Sequence, residues 1–548
     1  MEKRSLISIL LIVLLFGYPL TSSYASIHTT PFAKTIQSEK PMFSPSKSAT
    51  GSMMNLNESR STTDSAEVDT QYIYNITAAL SYIIFTEYNK SQGEIAKGRA
   101  FGSKGEHKAA QILFDNMTAL GLHPTYQYIG DQPCKQNDSF RTQLEVLNYT
   151  LALNGRRLEC YLAGSWKGQH ENPRLLNTTF SYHELLIKPI PRHSLLYHRA
   201  YAKETQDFVF LDQDHTNSPD IIGRFKDKYN PLTWLIVYHE ITQGKVLVET
   251  ALWYRWYPHC RGLVFYDFNP DCHDMIYFPH HGNSLPVAFI SGNDGAQIVG
   301  NMSNSSLDLE MTQRLNTTMN SSNVIGELPG RDPSKTVIVS CLYDGWWDQG
   351  TADSAIGMAM VLGIAKYFID NNIPPAYTLK FIGFCGEESG APGAKYYAAT
   401  HKNETIVAVL DLNQLGFTQT TPRLTLDFIS NHYLFLQQIS PIVQRLHYMQ
   451  QTGNVTDVKF IWWPSGRLPG NAAMFTDTWP LCKIMMILKD GGWVLHHRDG
   501  QHHQAGDVLS YFNWTDTTVT AEIAINITLA MTTHPGFLSR VLPSIPFF

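Results

Sequence analysis

The second half of the chain, from about residue 325 onward, alternates between short apolar runs and longer amphipathic segments. The short runs have the length and apolar composition of buried strands, and the segments between them have helical spacing. This alternation is typical of a doubly wound, mostly parallel sheet with helices on both faces. The predicted strands are "KTVIVSCLYD", "AYTLKFIGF", "ETIVAVLDLNQLG" and "CKIMMIL", and the predicted helices are "SAIGMAMVLGIAKYFIDNN", "APGAKYYAATHK", "YLFLQQISPIVQRLHYM" and "VTAEIAINITLAM".

The first half of the chain carries two other patterns. Residues 69–130 contain two helical segments, "ITAALSYIIFTEY" and "EHKAAQILFDNMTAL", and then a strand, "TYQYI". Residues 131–322 hold many short strand-like runs, such as "FVFLD" and "WLIVYHE", separated by Pro, Gly and Asn. Such runs indicate a mostly β module. We therefore predict one α/β domain formed by residues 69–130 and 323–548, with a β-rich domain inserted at residues 131–322.

The N-terminus has the pattern of a secretory signal peptide. Residues 1–25 start with charged residues, continue in a long apolar run and end in the small-residue pattern "SYA". An uncleaved membrane anchor is the alternative, because the apolar run is long. Residues 26–68 are rich in Ser, Thr and Lys and are interpreted as a flexible spacer. Many N-x-[S/T] sequons follow, for example at Asn177 and Asn316, which agrees with a secreted or cell-surface location.

Composition and charge exclude one class of partner. The chain has 548 residues, of which 16% are charged and 12% aromatic, and its formal net charge is -6. These values are typical of a folded protein with more than one domain. Since no basic stripe is present, we expect no nucleic-acid partner. We expect membrane association only if residues 1–25 stay uncleaved.

Acidic and histidine residues follow the ends of the predicted strands. Because functional groups of doubly wound sheets gather beyond the carboxyl ends of the strands, we expect these side chains to meet at one edge. Carboxylate and imidazole groups are ligands of zinc. A zinc ion also explains the adjacent glutamates, since one carboxylate can bind the metal while the other accepts a proton from water. The residues concerned are Asp344, Asp353, Glu387, Glu388, Asp411, Asn413, His502 and His503.

Each of these residues also has a structural interpretation when it is taken alone. The two glutamates are compatible with a solvated turn, and Asp353 with the N-cap of a helix that starts at Ser354. The segment "HHRDGQHHQAGD" is compatible with an exposed loop or a nonspecific metal-binding patch. The occurrence of all these residues at successive strand ends is what favours a metal site.

The same motifs resemble those of the secreted zinc exopeptidases, a family that includes aminopeptidase Y, glutamate carboxypeptidase and glutaminyl cyclase. The resemblance lies in "GRAFGSKGEHKAAQILFDNMTALGL", "TVIVSCLYDGWWDQGTADSAIGMAMVLG", "TLKFIGFCGEESGAPGAKYY", "VAVLDLNQLG" and "HHQAGDVLSYF". It implies zinc ligands at Asp353, Glu388 and His503, a general base at Glu387 and a supporting role for Asp344. The runs "CRGLVFYDFNP" and "LPVAFISGNDGAQIV" in the insert resemble the protease-associated domain that is often inserted in these enzymes.

Two residues depart from the family pattern. Leu342 stands at the position of the family's histidine ligand in "SCLYD", and Asn413 stands at that of an aspartate ligand in "DLNQLG". Both changes affect the second of the family's two zinc ions, so the resemblance implies one zinc ion, as in the cyclase branch. Asp411 is a candidate to replace Asn413, because a shift of two residues along a strand keeps the same face.

The resulting expectation is an extracellular zinc-dependent aminopeptidase that acts on peptides with one metal-activated water and Glu387 as the base. Trp346, Trp347, Trp462 and Trp463 are candidates for the wall of a substrate pocket or for ordinary packing. Two alternatives stay open. One is cyclisation of an N-terminal residue, as in glutaminyl cyclase, and the other is a non-catalytic, receptor-like ectodomain that has lost its metal sites.

Overall fold

A computed structural model describes part of the chain. The predicted signal peptide, residues 1–25, lies outside the described residues, and so does most of the predicted spacer, residues 26–68. The described residues are 34–36, 68–83, 98–132, 140–141, 143–158, 160–163, 178–189, 233–239, 260–267, 287–301, 305–316, 318–345, 349–416, 424–449, 455–463, 468, 470–489, 507–533 and 537–538.

These residues form helices and strands that follow the predicted alternation. The helices are α1 (Thr70–Ser81), α2 (Lys104–Ala119), α3 (Gly292–Gly300), α4 (Ile356–Asp370), α5 (Pro392–Thr400), α6 (Tyr433–Met449), α7 (Ala472–Thr478) and α8 (Trp514–Thr533). The strands are β1 (Lys34–Ile36), β2 (Thr125–Tyr128), β3 (Gln143–Leu153), β4 (Arg156–Arg157), β5 (Cys160–Ala163), β6 (Thr178–Pro189), β7 (Thr233–His239), β8 (Cys260–Asp267), β9 (Val287–Ile290), β10 (Ser306–Asn316), β11 (Ser322–Leu328), β12 (Asp332–Leu342), β13 (Tyr377–Phe384), β14 (Ile406–Leu412), β15 (Leu424–Ser430), β16 (Val455–Trp462) and β17 (Lys483–Lys489).

A mixed sheet of nine strands forms the centre of the described α/β region, in the order β1-β16-β15-β17-β14-β12-β13-β11-β2. The middle strands β13, β12, β14 and β17 run parallel to one another. Toward the two edges the pairs β11–β13, β11–β2, β15–β17 and β1–β16 are antiparallel. The predicted α/β class with a doubly wound sheet is therefore confirmed. The parallel strands form the centre of this sheet.

Helices cover both faces of this sheet, because successive side chains of a strand point to opposite faces. Val337 and Val339 of β12 belong to a core cluster with residues of α1, α2, α4, α6 and α8. Ile338 belongs to a second cluster with residues of α5 and α7. Among the described residues, one helical stretch, Thr351–Asp370, is long and apolar enough to cross a membrane. Since 83% of its apolar window is buried inside the fold, it has the environment of a core helix.

A second sheet lies within the residues predicted to form the insert. It has eight strands in the order β4-β3-β10-β6-β7-β8-β9-β5. Its longest pairing joins β3 and β10 in antiparallel fashion, while β6, β7, β8 and β9 run parallel. The bounds of the insert and its likeness to a protease-associated domain stay predictions.

Candidate metal centre

The turn that carries the two adjacent glutamates leaves the sheet beside Asp344. β12 and β13 are parallel neighbours, and their register pairs Leu342 with Phe384 where both strands end. The residues that follow therefore emerge side by side at the carboxyl edge of the sheet. Glu387 and Glu388 begin a short 3-10 turn after β13, and Asp344 follows directly on the end of β12.

Asp344 holds the two glutamates in place. The residue is fully buried. Its Oδ1 accepts a hydrogen bond from the backbone N–H of Glu387 at 3.0 Å, and its Oδ2 accepts one from the N–H of Glu388 at 3.1 Å. Both carboxylate oxygens are thus bound by main-chain donors, which is the arrangement of a residue that orients its neighbours. This is also where the family resemblance expects a supporting aspartate.

Gly386 allows the sharp turn between β13 and the glutamates. Its φ of +68° lies in the left-handed region, which favours glycine. A Cβ at this position would lie 2.5 Å from the ring of Phe101. The turn therefore packs closely against the segment that precedes α2, and Glu388 is only 8% exposed. The burial of Glu388 contradicts the interpretation of this residue as part of a solvated turn.

Asp353 lies in the turn before α4. The residue at the N-cap of α4 is Ala355, and no side chain in the described part of the chain caps this helix. Asp353 itself has non-helical angles, φ -116° and ψ 77°, and is followed by a cis peptide bond to Ser354. It is 4% exposed. The interpretation of Asp353 as a simple helix cap is therefore wrong.

The acids around this edge raise one another's pKa values. Burial raises the pKa of Glu387 well above its ordinary value, and the charges of Glu388, Asp353, Asp344 and Asp411 raise it further. Burial, followed by the charge of Glu388, raises the pKa of Asp344 to about 8. Such shifts arise where several carboxylates share a buried site with too little positive charge. A divalent cation would supply the missing charge.

The donors that the structure brings together suit zinc, although the predicted ligand set is only partly described. Asp353 and Glu388 are buried carboxylates whose charges both act on Glu387, and carboxylate oxygens are zinc ligands. Within the described ranges, no group of three His, Cys, Asp or Glu residues has the arrangement of a complete metal site. The predicted third ligand, His503, lies outside these ranges, as do His502, Trp346 and Trp347.

Leu342 and Asn413 lie at the carboxyl ends of two adjacent strands. The parallel register of β12 and β14 pairs Ser340 with Asp411; Leu342 ends β12, two residues after Ser340, and Asn413 follows directly on the end of β14, two residues after Asp411. Leu342 is fully buried, and Asn413 is 5% exposed. An aliphatic side chain and a neutral amide thus occupy adjacent positions where the family resemblance expects ligands of a second ion.

Asp411 lies deeper in the sheet than Asn413. The hydroxyl of Ser340 donates a hydrogen bond to Oδ1 of Asp411 at 2.8 Å, and burial raises the pKa of Asp411 to about 7. Asn413 lies beside Glu387, because a Cβ on Gly470 would be 2.8 Å from Oε1 of Glu387 and 3.4 Å from Nδ2 of Asn413. The Oδ1 of Asn413 is buried and makes no hydrogen bond with any of the described residues. Asn413 is therefore the strand-end residue that faces the predicted base.

Three buried charged residues near the cluster were not identified by the sequence patterns. Arg99 donates hydrogen bonds to main-chain carbonyls of the loop that carries Asp344 and Asp353. Asp507 accepts a hydrogen bond from the backbone N–H of Asp353 at 3.1 Å. Burial, followed by the charge of Asp344, raises the pKa of Glu106 well above its ordinary value. All three lie in segments that carry the family resemblance, "GRAFGSKGEH" and "HHQAGD", and that was the available signal.

Trp462 and Trp463, which were candidates for a pocket wall, take part in packing. Trp462 contacts the ring of Tyr433, with 5.5 Å between ring centroids, and packs against the first core cluster. Trp463 packs against the second cluster, and its backbone N–H donates to the carbonyl of Ser430 at 2.9 Å. These contacts account for both residues without a substrate.

Comparison with known proteins gives a family match and several distant relatives. Residues 323–528 match the model of peptidase family M28. Carboxypeptidase Q from Bos taurus is 23% identical over 265 residues, which cover 45% of this chain and 52% of the relative. The human protein of the same name is 24% identical over 264 residues, with the same coverage. The chain thus matches about half the length of these relatives.

Solved structures share the fold at low sequence identity. A zinc aminopeptidase from Bacillus subtilis matches with a TM-score of 0.56 and 14% identity, over 86% of this chain and 96% of its own. A peptidase M28 precursor from Shewanella amazonensis matches with a TM-score of 0.55 and 16% identity, over 84% and 95% of the two chains. An aminopeptidase from Aneurinibacillus sp. strain AM-1 matches with a TM-score of 0.51 and 14% identity, over 88% and 97%. At such identities the likeness establishes the fold.

Proposed function

Residues 323–528 belong to peptidase family M28, and from this premise we propose that the protein is an extracellular, zinc-dependent exopeptidase that removes residues from the N-terminus of peptides. The observation that carries the proposal is the pair of hydrogen bonds from Glu387 and Glu388 to Asp344. They fix two adjacent carboxylates, one of them buried and the other partly buried, and the charge of Asp353 also acts on Glu387. The names of two solved aminopeptidases, one of them called a zinc aminopeptidase, support the choice of reaction.

Asp353, Glu388 and His503 are the residues proposed to hold the metal. When bound, zinc supplies Lewis acidity toward the peptide carbonyl and lowers the pKa of water. Glu387, which precedes Glu388 in the same turn, accepts the proton of the attacking water and passes it to the leaving amine. Asp344 keeps Glu387 and Glu388 in register for these two roles through its two main-chain hydrogen bonds.

One zinc ion is proposed, because Leu342 and Asn413 stand where the family has ligands of a second ion. Leu342 offers no donor atom, and the amide of Asn413 is a poorer zinc ligand than a carboxylate. The signal-like residues 1–25 and the many sequons support an extracellular location. No nucleic-acid partner is proposed.

The test is metal analysis of the purified protein together with turnover of a chromogenic aminoacyl anilide. Glu387→Gln removes the proposed base but none of the proposed metal ligands, so this variant should keep about one zinc per chain. Its kcat should fall by roughly 10²–10⁴-fold, the usual contribution of a general base. Glu327→Gln is the matched control, because Glu327 is a half-exposed glutamate whose contact is Lys380, and both readouts should stay at wild-type values.

Two results would contradict the proposal. Wild-type turnover by the Glu387→Gln variant would show that Glu387 is not the base. A zinc content near zero in the native protein, with no hydrolysis after zinc is added, would favour the non-catalytic ectodomain instead. Formation of a cyclised product from peptides with N-terminal glutamine, without hydrolysis of other peptides, would favour the cyclase reaction. A wild-type protein that trims peptides only from their C-termini would leave the metal chemistry in place and correct the direction of attack.

A further inference from the structure

Arg99 is a buried arginine that binds the backbone of the loop between β12 and α4. It is 2% exposed, and among the described residues no other arginine or lysine is buried. Its Nε donates to the carbonyl of Tyr343 at 2.9 Å. Its Nη1 donates to the carbonyls of Leu80 at 3.0 Å and Gln349 at 2.6 Å, and its Nη2 donates to that of Gly350 at 2.9 Å. A single guanidinium thus connects α1 with both ends of this loop.

The loop that Arg99 binds is the one that carries Asp344 and Asp353. Tyr343 directly precedes Asp344, and Gln349 and Gly350 precede the turn of Asp353. The loop approaches the guanidinium so closely that a Cβ on Gly350 would lie 2.8 Å from Nη2. The contact therefore depends on the shape of the arginine and on the glycine opposite it.

Asp507 binds the same loop through other backbone groups. One carboxylate oxygen of Asp507 accepts from the N–H of Ala352 at 2.6 Å, and the other accepts from the N–H of Asp353 at 3.1 Å. In the same region, the N–H of Leu509 donates to the side-chain oxygen of Gln349 at 2.9 Å. Asp507 follows the proposed ligand His503 by four residues. It therefore links the segment just after this histidine to the turn of Asp353.

Charge adds to this geometry. Burial lowers the pKa of Arg99, and the negative charges of Asp507, Asp344 and Asp353 oppose that change. A guanidinium stays protonated under such conditions. Arg99 therefore supplies a fixed positive charge behind a cluster of carboxylates that otherwise repel one another.

We propose that Arg99 and Asp507 are positioning residues of the metal centre, which hold residues 343–345 and 349–353 in their metal-binding arrangement before zinc arrives. This inference rests on the proposed function, since it concerns the same site. Neither residue is proposed to touch zinc or substrate. Partners that orient metal ligands are commonly worth ~10–100-fold in metal affinity, and this is the effect that the two residues should have.

The test measures the zinc dissociation constant of chelator-stripped protein by competition with a chromogenic chelator. Arg99→Lys keeps the positive charge but lacks the planar fork that reaches several carbonyls. Asp507→Asn keeps the shape but retains only one oxygen that can accept a hydrogen bond. We expect each variant to bind zinc ~10–100-fold more weakly than wild type at fixed pH. At zinc concentrations that saturate both proteins, kcat should also be lower and KM nearly unchanged.

Two matched controls separate positioning from general loss of stability. Arg141→Lys changes another arginine that binds main-chain carbonyls, those of Met319 at 3.1 Å and Thr318 at 3.4 Å. Asp69→Asn changes another aspartate that accepts a backbone hydrogen bond, from the N–H of Tyr72 at 2.9 Å. Both controls should bind zinc with the wild-type constant. Circular dichroism reports the folded fraction of every variant, and Asp507→Asn provides the test if Arg99→Lys does not fold.

The possible outcomes distinguish this inference from the proposed function. If the wild-type protein binds zinc and both Arg99→Lys and Asp507→Asn bind it equally well, the positioning role is wrong and the proposed function stands. If the control variants lose zinc affinity to the same extent, the effect is one of stability and the inference is again wrong. If folded wild-type protein binds no zinc, the proposed function fails, and this inference fails with it.

Discussion

Gly470 offers a sharp test of the position of Glu387. This glycine lies just before α7 and has a φ of +59°. A Cβ at this position would lie 2.8 Å from Oε1 of Glu387 and 3.4 Å from Nδ2 of Asn413. Gly470→Ala therefore has two consequences. It strains the backbone, and it pushes against the carboxylate that we propose as the base.

The two consequences have different sizes. A non-glycine residue in the left-handed region costs about 1–2 kcal/mol, which should appear as a lower free energy of unfolding. The Cβ contact of 2.8 Å is tighter than an ordinary contact by about half an ångström, so Glu387 must move by roughly that distance. A misplacement of about 1 Å in an active site can cost ~10²-fold in rate. We therefore expect kcat of the Gly470→Ala variant to fall about tenfold.

The control is Gly121→Ala, because Gly121 has a similar φ of +77° and a Cβ there would meet no atom of the described residues within 4 Å. Chemical denaturation should show a similar loss of stability in both variants, whereas only Gly470→Ala should lose kcat on the chromogenic substrate. Zinc content should stay at the wild-type value in both. Wild-type kcat in a folded Gly470→Ala variant, or an equal loss of kcat in Gly121→Ala, would refute the proposed position of the base.

Two more predictions concern the neighbouring strands. The double variant Leu342→His/Asn413→Asp should raise the zinc content from about one to about two per chain, because an imidazole and a carboxylate are zinc ligands and the two positions are adjacent. Asn413→Asp alone is the control, and an unchanged metal content in the double variant would contradict the register argument. Burial raises the pKa of Asp411 to about 7. Between about pH 4 and pH 7 this carboxyl group is therefore protonated in the folded protein but ionised in the unfolded chain. The stability of metal-free protein should therefore fall as pH rises from about 4 to 7, by up to about 4 kcal/mol from this group, and Asp411→Asn should flatten that fall in denaturation curves.

The sequence predicted the centre of the sheet well because its strands are continuous apolar runs. β12, β13, β14 and β17 were all expected, and so were the long helices α4, α6 and α8. β15 and β16 were not expected, because Asp427 and Lys459 interrupt their apolar pattern. The short helix α7 has too few residues for a periodic signal. Gly470, two residues before this helix, lies close to Glu387, and only the tertiary structure brings these two distant residues together.

The candidate site was predicted to the extent that it follows strand ends. Asp344, Glu387 and Glu388 come directly after two neighbouring strands, so parallel topology is enough to bring them together. Arg99 could not be predicted in this way, because its contact with the carbonyl of Tyr343 spans 244 residues of sequence. Asp507 binds backbone N–H groups, which leave no pattern in the side chains of the loop. The family resemblance marks the segments in which such positioning residues lie, but their contacts become visible only in three dimensions.

The central claim is that Asp353, Glu388 and His503 hold one zinc ion beside Glu387. Anomalous diffraction at the zinc edge, from crystals of the full chain grown with zinc, tests it most directly. One peak per chain should appear, with bonds of about 2 Å to these three side chains and none to Glu387. A second peak near Leu342 and Asn413 would contradict the account, and so would a single peak with no bond to His503.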